Sequence, residues 1–374
     1  MMIPIVKPTL MNWDAVIRDF RQAWESGQVT TGQFTRRLEA EVERQLEIPH
    51  VIMMQSCTAG LMLVLRALEV EGEAIMPAFT WTATAHAAVW NNLIPVFADI
   101  SPGAYTLDPE KAVQAITPRT SVLMPVNVFG CPPDYEAFAE IAREHGVHLV
   151  YDSAQGLGSR YLDRNGVWRY AGSFGEAEIF SMSPTKVISA MEGGLVTTSN
   201  AELAQTLRQM RDYGKTPDAE DIAWLGLSAR VPEVDAIVAY YNFAHREHLI
   251  SRRQELMQIY REGLKGLKGV RFQETPEGYQ SSGNYFTIFI DGQEAKHSRD
   301  EVYQYLKEHQ IQAKKYFFPA LHLQKVYQTM GQFYRGKLPV TEAAAASGLA
   351  LPLFSHMTQA MVFEVIKISR AILE

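Results

Sequence analysis

The chain has 374 residues, of which 47% are hydrophobic and 21% charged. That composition supplies a large buried core and excludes a disordered or low-complexity protein. A net charge of −7 and a pI near 5.9 give no basic surface for nucleic acid or an anionic membrane.

Two cysteines, Cys57 and Cys131, make no disulfide framework and fit a reducing compartment. The opening MMIPIVKPTLMNW has no sustained apolar segment behind basic residues, and no run of about 20 apolar residues follows anywhere. Neither a signal peptide nor a membrane span is expected, and the protein is expected in the cytoplasm.

In chain order, a Pro-containing arm leads into two helical patterns, Trp13 to Glu25 and Gly32 to Gln45. In the second, Phe34, Leu38, Val42 and Leu46 recur at helical spacing. From residue 50 short apolar runs (50–55, 74–78, 94–100, 121–129, 147–151) alternate with helical segments of about a dozen residues. Two further runs follow at 179–182 and 194–198. The alternation predicts an α/β fold with a mostly parallel sheet covered on both faces, and ligands beyond the carboxyl ends of its strands. Residues 201–210 read as a helix, 211–232 as irregular, and Glu233 to about Leu267 as one long helix broken near its middle. Strands at 270–274, 285–290 and 311–317, with helices at 300–308, 341–346 and 358–373, predict a smaller C-terminal α/β domain with an antiparallel sheet. The domains expected are 1–245, including the arm, and 246–374.

The chemistry gathers between residues 147 and 199. An apolar run ends in Asp152, with Gln155 three residues on. A second run leads through Ser181-Met182-Ser183-Pro184-Thr185 into Lys186. Most lysines are solvated surface charges, and a strand-end aspartate is often only a turn cap. Together, on neighbouring strand ends, they suit an aldehyde cofactor with a basic ring nitrogen, pyridoxal 5'-phosphate (PLP): a desolvated lysine serves Schiff-base chemistry, and a carboxylate holds the ring cationic. Ser56-Cys57-Thr58 opens a helix directly after a strand; it reads as an N-cap and equally as a phosphate site. Trp81 after Pro77-Ala78-Phe79 reads either as a core aromatic or as an indole stacked on a planar ring.

Other chemistries lack their residues. His145 and His148 have no companions at metal spacing. There is no G-x-G-x-x-G after the first strand, no G-x-x-x-x-G-K-[ST] loop and no G-x-S-x-G elbow.

The chain resembles the DegT/DnrJ family of PLP-dependent sugar aminotransferases, of aspartate-aminotransferase fold type I, from about residue 25 to the C-terminus. Carrying the resemblance are Thr31-Gly32, Ser56 to Leu61, Pro77 to Thr84, Pro95 to Ile100, Ile116 to Thr120, Asp152 to Gln155, and Phe180 to Gly194. Lys315-Tyr316-Phe317-Phe318-Pro319 and Leu351-Pro352-Leu353 extend it into the second domain. The resemblance implies that Lys186 bonds the cofactor, Asp152 pairs with the pyridine nitrogen and Gln155 reaches the ring hydroxyl. It implies that Ser181 and the Cys57-Thr58 turn hold the phosphate and that Trp81 stacks on the ring. Members with histidine at the lysine position dehydrate their substrate, so Lys186 argues for transamination.

By the same resemblance the donor is L-glutamate and the acceptor a nucleotide-linked keto-deoxysugar, dTDP-linked and aminated at C3 or C4. A keto-cyclitol or other ketone is the alternative acceptor, and a PLP-binding protein without turnover the alternative of another class. Arg230 and Lys315 are expected to hold the diphosphate, with Tyr316 and His322 reading the substrate. Two departures stand out. Cys57 replaces a glycine common in the phosphate turn. In Gly226-Leu227-Ser228-Ala229-Arg230, Ser228 replaces an asparagine that in the family reaches the partner subunit's cofactor. A homodimer is expected.

Overall fold

The computed structural model describes residues 2–331 and 333–374. Helices α1 (Trp13–Ser26) and α2 (Gln33–Leu46) come first. Then β1 (His50–Met54), α3 (Cys57–Ala67), β2 (Glu73–Pro77), α4 (Thr82–Trp90), β3 (Ile94–Ala98), α5 (Pro109–Ala115), β4 (Thr120–Leu123), α6 (Tyr135–His145) and β5 (His148–Asp152) alternate. Strands β6 (Arg160–Leu162) and β7 (Trp168–Tyr170) form a hairpin before β8 (Ala177–Ser181) and β9 (Gly194–Thr198). Helices α7 (Ala201–Met210), α8 (Glu233–Ala244) and α9 (Arg246–Leu264) follow. The rest comprises β10 (Val270–Phe272), β11 (Tyr279–Gln280), β12 (Phe286–Ile290), α10 (Arg299–Glu308), a short α11 (Gln328–Gly331), α12 (Pro339–Ser347), β13 (Gly348–Leu351) and α13 (Gln359–Leu373).

Local chemistry sets several helix starts. Ser56, Asp108, Asp134 and Asn200 each accept a hydrogen bond from the first turn of α3, α5, α6 and α7, and Ser298 with Glu301 forms a capping box on α10. The apolar runs become a seven-stranded sheet ordered β1-β9-β8-β5-β4-β2-β3. Only β9 runs against its neighbours. Every residue of β2, β8 and β9 is buried, as expected of strands with layers on both faces. The register sets Met54 opposite Gly194 and Gly194 opposite Ser181. The carboxyl ends of β1 and β8 therefore meet at one edge, beside that of β5.

Two buried carboxylates fasten the layers. Glu233, at the start of α8, accepts from the backbone N–H groups of Gly32 (2.8 Å), Phe34 (2.7 Å) and Thr35 (3.0 Å) and from the Thr35 hydroxyl (2.5 Å). It thereby satisfies the orphan donors at the start of α2. A Cβ on Gly32 would stand 2.8 Å from its Oε2, so glycine is required after Thr31. Asp99, just past β3, accepts from Val340 N (3.1 Å) and Thr341 N (2.8 Å) and ties the large sheet to α12.

The second region is a three-stranded sheet, β10-β12-β13, with α9, α10 and α13 against it. The long helix breaks as expected, into two helices parted at His245. Two expectations about the strands are corrected. Residues 311–317 form no strand; the segment pairs only where Ile311 meets Ile3 and Lys314 meets Ala350. The third strand is β13, hidden in the sequence behind the alanine run of α12. The N-terminal arm lies on this second region: Ile3 N donates to Gln310 O (2.9 Å) and Leu353 N to Ile5 O (3.1 Å). Among the described residues no helix is long and apolar enough to cross a membrane.

Candidate active site

A cavity of about 320 Å³ opens where β1, β5 and β8 end, walled on the far side by Lys314, Tyr316 and Phe317 of the second region. It brings Cys57, Thr58, Trp81, Asp152, Gln155, Ser181, Lys186 and Tyr316 together.

Lys186 follows β8 on a tethered loop. Its N–H donates to Ser183 O (3.0 Å), Val187 N to Asn284 Oδ1 (3.1 Å) and Ala190 N to Met182 O (2.7 Å). A lysine has four rotatable bonds, so fixing the backbone on both sides confines where its amine can reach.

Asp152 ends β5 and is buried. Its Oδ2 accepts from the Thr84 hydroxyl at 2.6 Å and its Oδ1 from Ala154 N at 3.1 Å. The Cys57 thiol lies 4.0 Å from Oδ1. Burial pushes the Asp152 carboxyl above its ordinary value, against the lowering effect of these two donors and of the Lys186 charge. A buried carboxylate in that condition is stabilised by a cation placed against it.

Ser56 Oγ accepts from Ala59 N (3.1 Å), which leaves the N–H groups of Cys57 and Thr58 without intrahelical partners at the start of an eleven-residue helix. Gly194 packs against this turn so closely that a Cβ there would stand 2.5 Å from Cys57 N. Ser181 Oγ is nearby, accepting from Ser183 N (3.3 Å). Two free N–H groups, two hydroxyls and the helix dipole make a site for a dianion. Gln155 Oε1 accepts from Phe129 N (2.5 Å), leaving its amide NH₂ as the donor to spare. Asn127 lines the same cavity, and its buried Oδ1 has no donor among the described residues. Trp81, at the start of α4, is 55% exposed, so it is a wall of the cavity and not a core aromatic. Tyr316 meets it edge-on, ring centroids 6.3 Å apart. A phosphate cradle, a carboxylate for a ring nitrogen, an aromatic wall and a lysine fit PLP.

Four expected substrate or partner residues lie elsewhere. Lys315 Nζ is 2.8 Å from Asp300 and leaves the cavity to Lys314. The pairing of Lys314 with Ala350 sets this register, and alternation along extended backbone puts Lys314 and Tyr316 on one side and Lys315 on the other. His322 is buried beside Phe97, its Nε2 3.2 Å from Glu342, and burial lowers its pKa; it is a packing residue. Arg230 is held by Asp212 at 2.5 Å, and Ser228 bridges Asp212 through its backbone. Neither lines the cavity of its own chain. Thr84 was missed: nothing in its local sequence links it to a carboxylate 68 residues away.

Behind Asp152, Glu178 is wholly buried on β8. Its Oε1 accepts from Gly172 N (2.7 Å) and Phe174 N (3.1 Å), its Oε2 from Ser153 Oγ (3.0 Å) and Tyr135 OH (3.2 Å). Desolvation still wins over these four donors and raises the carboxyl from 4.5 to about 7. The folded state therefore binds this proton more tightly than the unfolded state. The resulting stabilisation is complete below pH 4.5 and is lost as pH rises through about 7. Glu178→Gln is expected to remove that slope from a plot of unfolding free energy against pH. A variant that keeps the wild-type slope would contradict the assignment.

This fold and site define a PLP-dependent transferase of fold type I. Residues 13–370 match the DegT/DnrJ/EryC1/StrS aminotransferase family, and the chain belongs to it. It is an aminotransferase, and its cofactor is pyridoxal 5'-phosphate. The chain is 28% identical to the dTDP-4-amino-4,6-dideoxy-D-glucose transaminase of Escherichia coli, covering 98% of this chain and 97% of that one. It is 31% identical to the UDP-N-acetyl-3-dehydro-alpha-D-glucosamine 3-aminotransferase of Acidithiobacillus ferrooxidans, covering 96% and 93%. Among solved structures, DesI in the presence of its TDP-sugar product superimposes with a TM-score of 0.90 at 31% identity, over 99% of this chain and 92% of that one. The PLP form of the sugar aminotransferase Spr1654 of Streptococcus pneumoniae gives 0.90 at 25% identity, over 100% of both chains.

Proposed function

We propose that the chain moves an amino group from L-glutamate to a nucleotide-linked keto-deoxysugar, dTDP-linked and aminated at C3 or C4, in the biosynthesis of an amino sugar. The observation that carries this reading is end-to-end similarity to relatives named for nucleotide-sugar transamination, joined to a complete lysine, aspartate and glutamine set in one cavity.

Bound in the cavity, PLP supplies a carbonyl carbon that takes up an amine and a ring that accepts the electron pair left when a Cα proton departs. Asp152, oriented by Thr84 and Ala154, holds a proton on the ring nitrogen. The Lys186 amine removes the proton from Cα of the donor and, in the second half-reaction, delivers one to the acceptor carbon as general base and acid. The N–H groups of Cys57 and Thr58 and the Thr58 and Ser181 hydroxyls bind the phosphate; replacing glycine by Cys57 leaves the backbone donor intact. Gln155 donates toward the ring hydroxyl. Trp81 would stack on the ring and keep water from it, and Tyr316, edge-on to Trp81, would face the substrate.

The reading extends to a cytoplasmic homodimer, supported by two unpaired buried cysteines and by Ile222 and Leu225, apolar and exposed next to Ser228 and Arg230. In such a dimer Ser228 and Arg230 serve the partner's cavity; a single-chain mass in sedimentation equilibrium would count against this. The domain division proposed is at residues 245 and 246, with the N-terminal arm belonging to the second unit.

The test is release of more than one equivalent of 2-oxoglutarate per site from L-glutamate with a panel of dTDP- and UDP-linked 3-keto and 4-keto sugars and free keto-cyclitols. Such release with at least one of the sugar nucleotides is expected. Release only with free keto-cyclitols would move the reading to that acceptor class, and no such release with any pair would leave a protein that binds PLP without turnover.

A further inference from the structure

Four charged side chains line the cavity: Asp152, Glu192, Lys186 and Lys314. Asp152 and Lys186 are taken up by the cofactor. Glu192 puts a carboxylate on its side of the cavity, which disfavours an anion there; burial together with the Glu192 charge pushes the nearby Asp235 carboxyl up to about 6. Lys314 remains. Among the described residues its ammonium has no carboxylate partner, whereas Lys315 is tied to Asp300 and Arg230 to Asp212. Its Nζ lies 4.8 Å from the Tyr316 ring centroid and 5.6 Å from that of Trp81. Aromatic faces hold a cation in place without neutralising it. The backbone is also fixed: Lys314 N donates to Ala350 O (3.0 Å) and Ala350 N to Lys314 O (2.8 Å).

An unpaired cation lining a cavity, in a chain of net charge −7, suits an anionic ligand. We propose that Lys314 is the oxyanion-binding residue of this site and selects substrates that present a carboxylate or phosphate group beside the Trp81–Tyr316 wall. The inference rests on the aminotransferase reading above, in which donor and acceptor are both anionic. An ammonium is a point charge with three donors, so it serves either oxyanion. Lys314 is a specificity residue, distinct from the groups that move the proton.

The experiment uses holoenzyme and two substitutions. Lys314→Met keeps the aliphatic stem against the rings and removes the charge; Lys314→Arg keeps the charge. L-Glutamate is followed in single-turnover half-reactions, whose concentration dependence gives its apparent Kd. dTDP and UDP, which cannot react, are titrated by calorimetry. Lys314→Met is expected to weaken glutamate or nucleotide binding about ten- to a hundredfold, as loss of a charged hydrogen bond does, with little change in the maximal half-reaction rate. Lys314→Arg is expected to stay within about threefold of wild type. A loss confined to glutamate identifies the donor carboxylate as the ligand, and a loss confined to dTDP or UDP identifies the diphosphate. If wild type binds neither nucleotide, the sugar-nucleotide reading fails and the glutamate arm alone decides on Lys314. Binding of every ligand that wild type binds within about twofold of its affinity in Lys314→Met overturns the proposal.

Discussion

Lys186→Ala is expected to retain the fold and the cofactor and to lose amine transfer by on the order of 10⁴-fold, the upper end of the effect of a positioned acid–base group. The cofactor is retained because most of its site does not involve the lysine. Asp152, Gln155 and the start of α3 are held by hydrogen bonds from Thr84, Phe129 N and Ala59 N, none of which involves the Lys186 side chain. Transfer is lost because the remaining groups are held to other tasks: Asp152 is committed to the ring nitrogen, the Tyr285 and Tyr316 hydroxyls are pushed up by burial, Glu192 lies by Asp235, and Lys314 lies over the Trp81 and Tyr316 rings. The measurement is the change in cofactor absorbance on mixing with L-glutamate. Wild-type-like rates in the variant would remove Lys186 from its role.

Asp152→Asn is expected to cut turnover about 10²- to 10³-fold while leaving thermal stability close to wild type. An asparagine can keep both neighbours, accepting from Ala154 N and donating to the Thr84 hydroxyl, so the local structure survives. It cannot balance a protonated ring nitrogen. The signature is therefore a shift in the pH dependence of cofactor absorbance, which a merely structural defect would not produce. Thr84→Val acts on the same carboxylate at one remove: loss of a hydrogen bond to a charged group amounts to roughly tenfold or somewhat more, and Thr84→Ser restores it. Unaltered turnover and spectrum in Asp152→Asn would contradict the pairing.

The core of the site was legible in the sequence for a physical reason. In a mostly parallel sheet all strand carboxyl ends face one edge, so residues just after apolar runs converge there however far apart they lie in the chain. Asp152, Ser181, Lys186 and the Ser56–Thr58 turn all stand in that position. Legibility stopped where placement depends on pairing between distant segments. Whether Lys314 or Lys315 faces the cavity is decided by the contact with Ala350, and alternation along the expected strand could not say which of its two faces turns to the cavity. His322 carries no mark of burial; Phe97 and Glu342, which enclose it, come from other parts of the chain. Thr84 sits in a stretch already notable for Trp81, but its hydroxyl acquires meaning only when α4 is laid beside the end of β5. The N-terminal arm crosses to the second region through backbone hydrogen bonds and through Gln312 and His356, partners more than 300 residues away that no local pattern in the arm reveals.

The most direct measurement is borohydride reduction of the purified holoenzyme followed by peptide mapping. The expected result is a yellow protein that is bleached by the reagent, with one phosphopyridoxyl group on the peptide that contains Lys186. Cofactor fixed to any other lysine, or a protein that stays colourless and inert when PLP is added, would contradict the site described here.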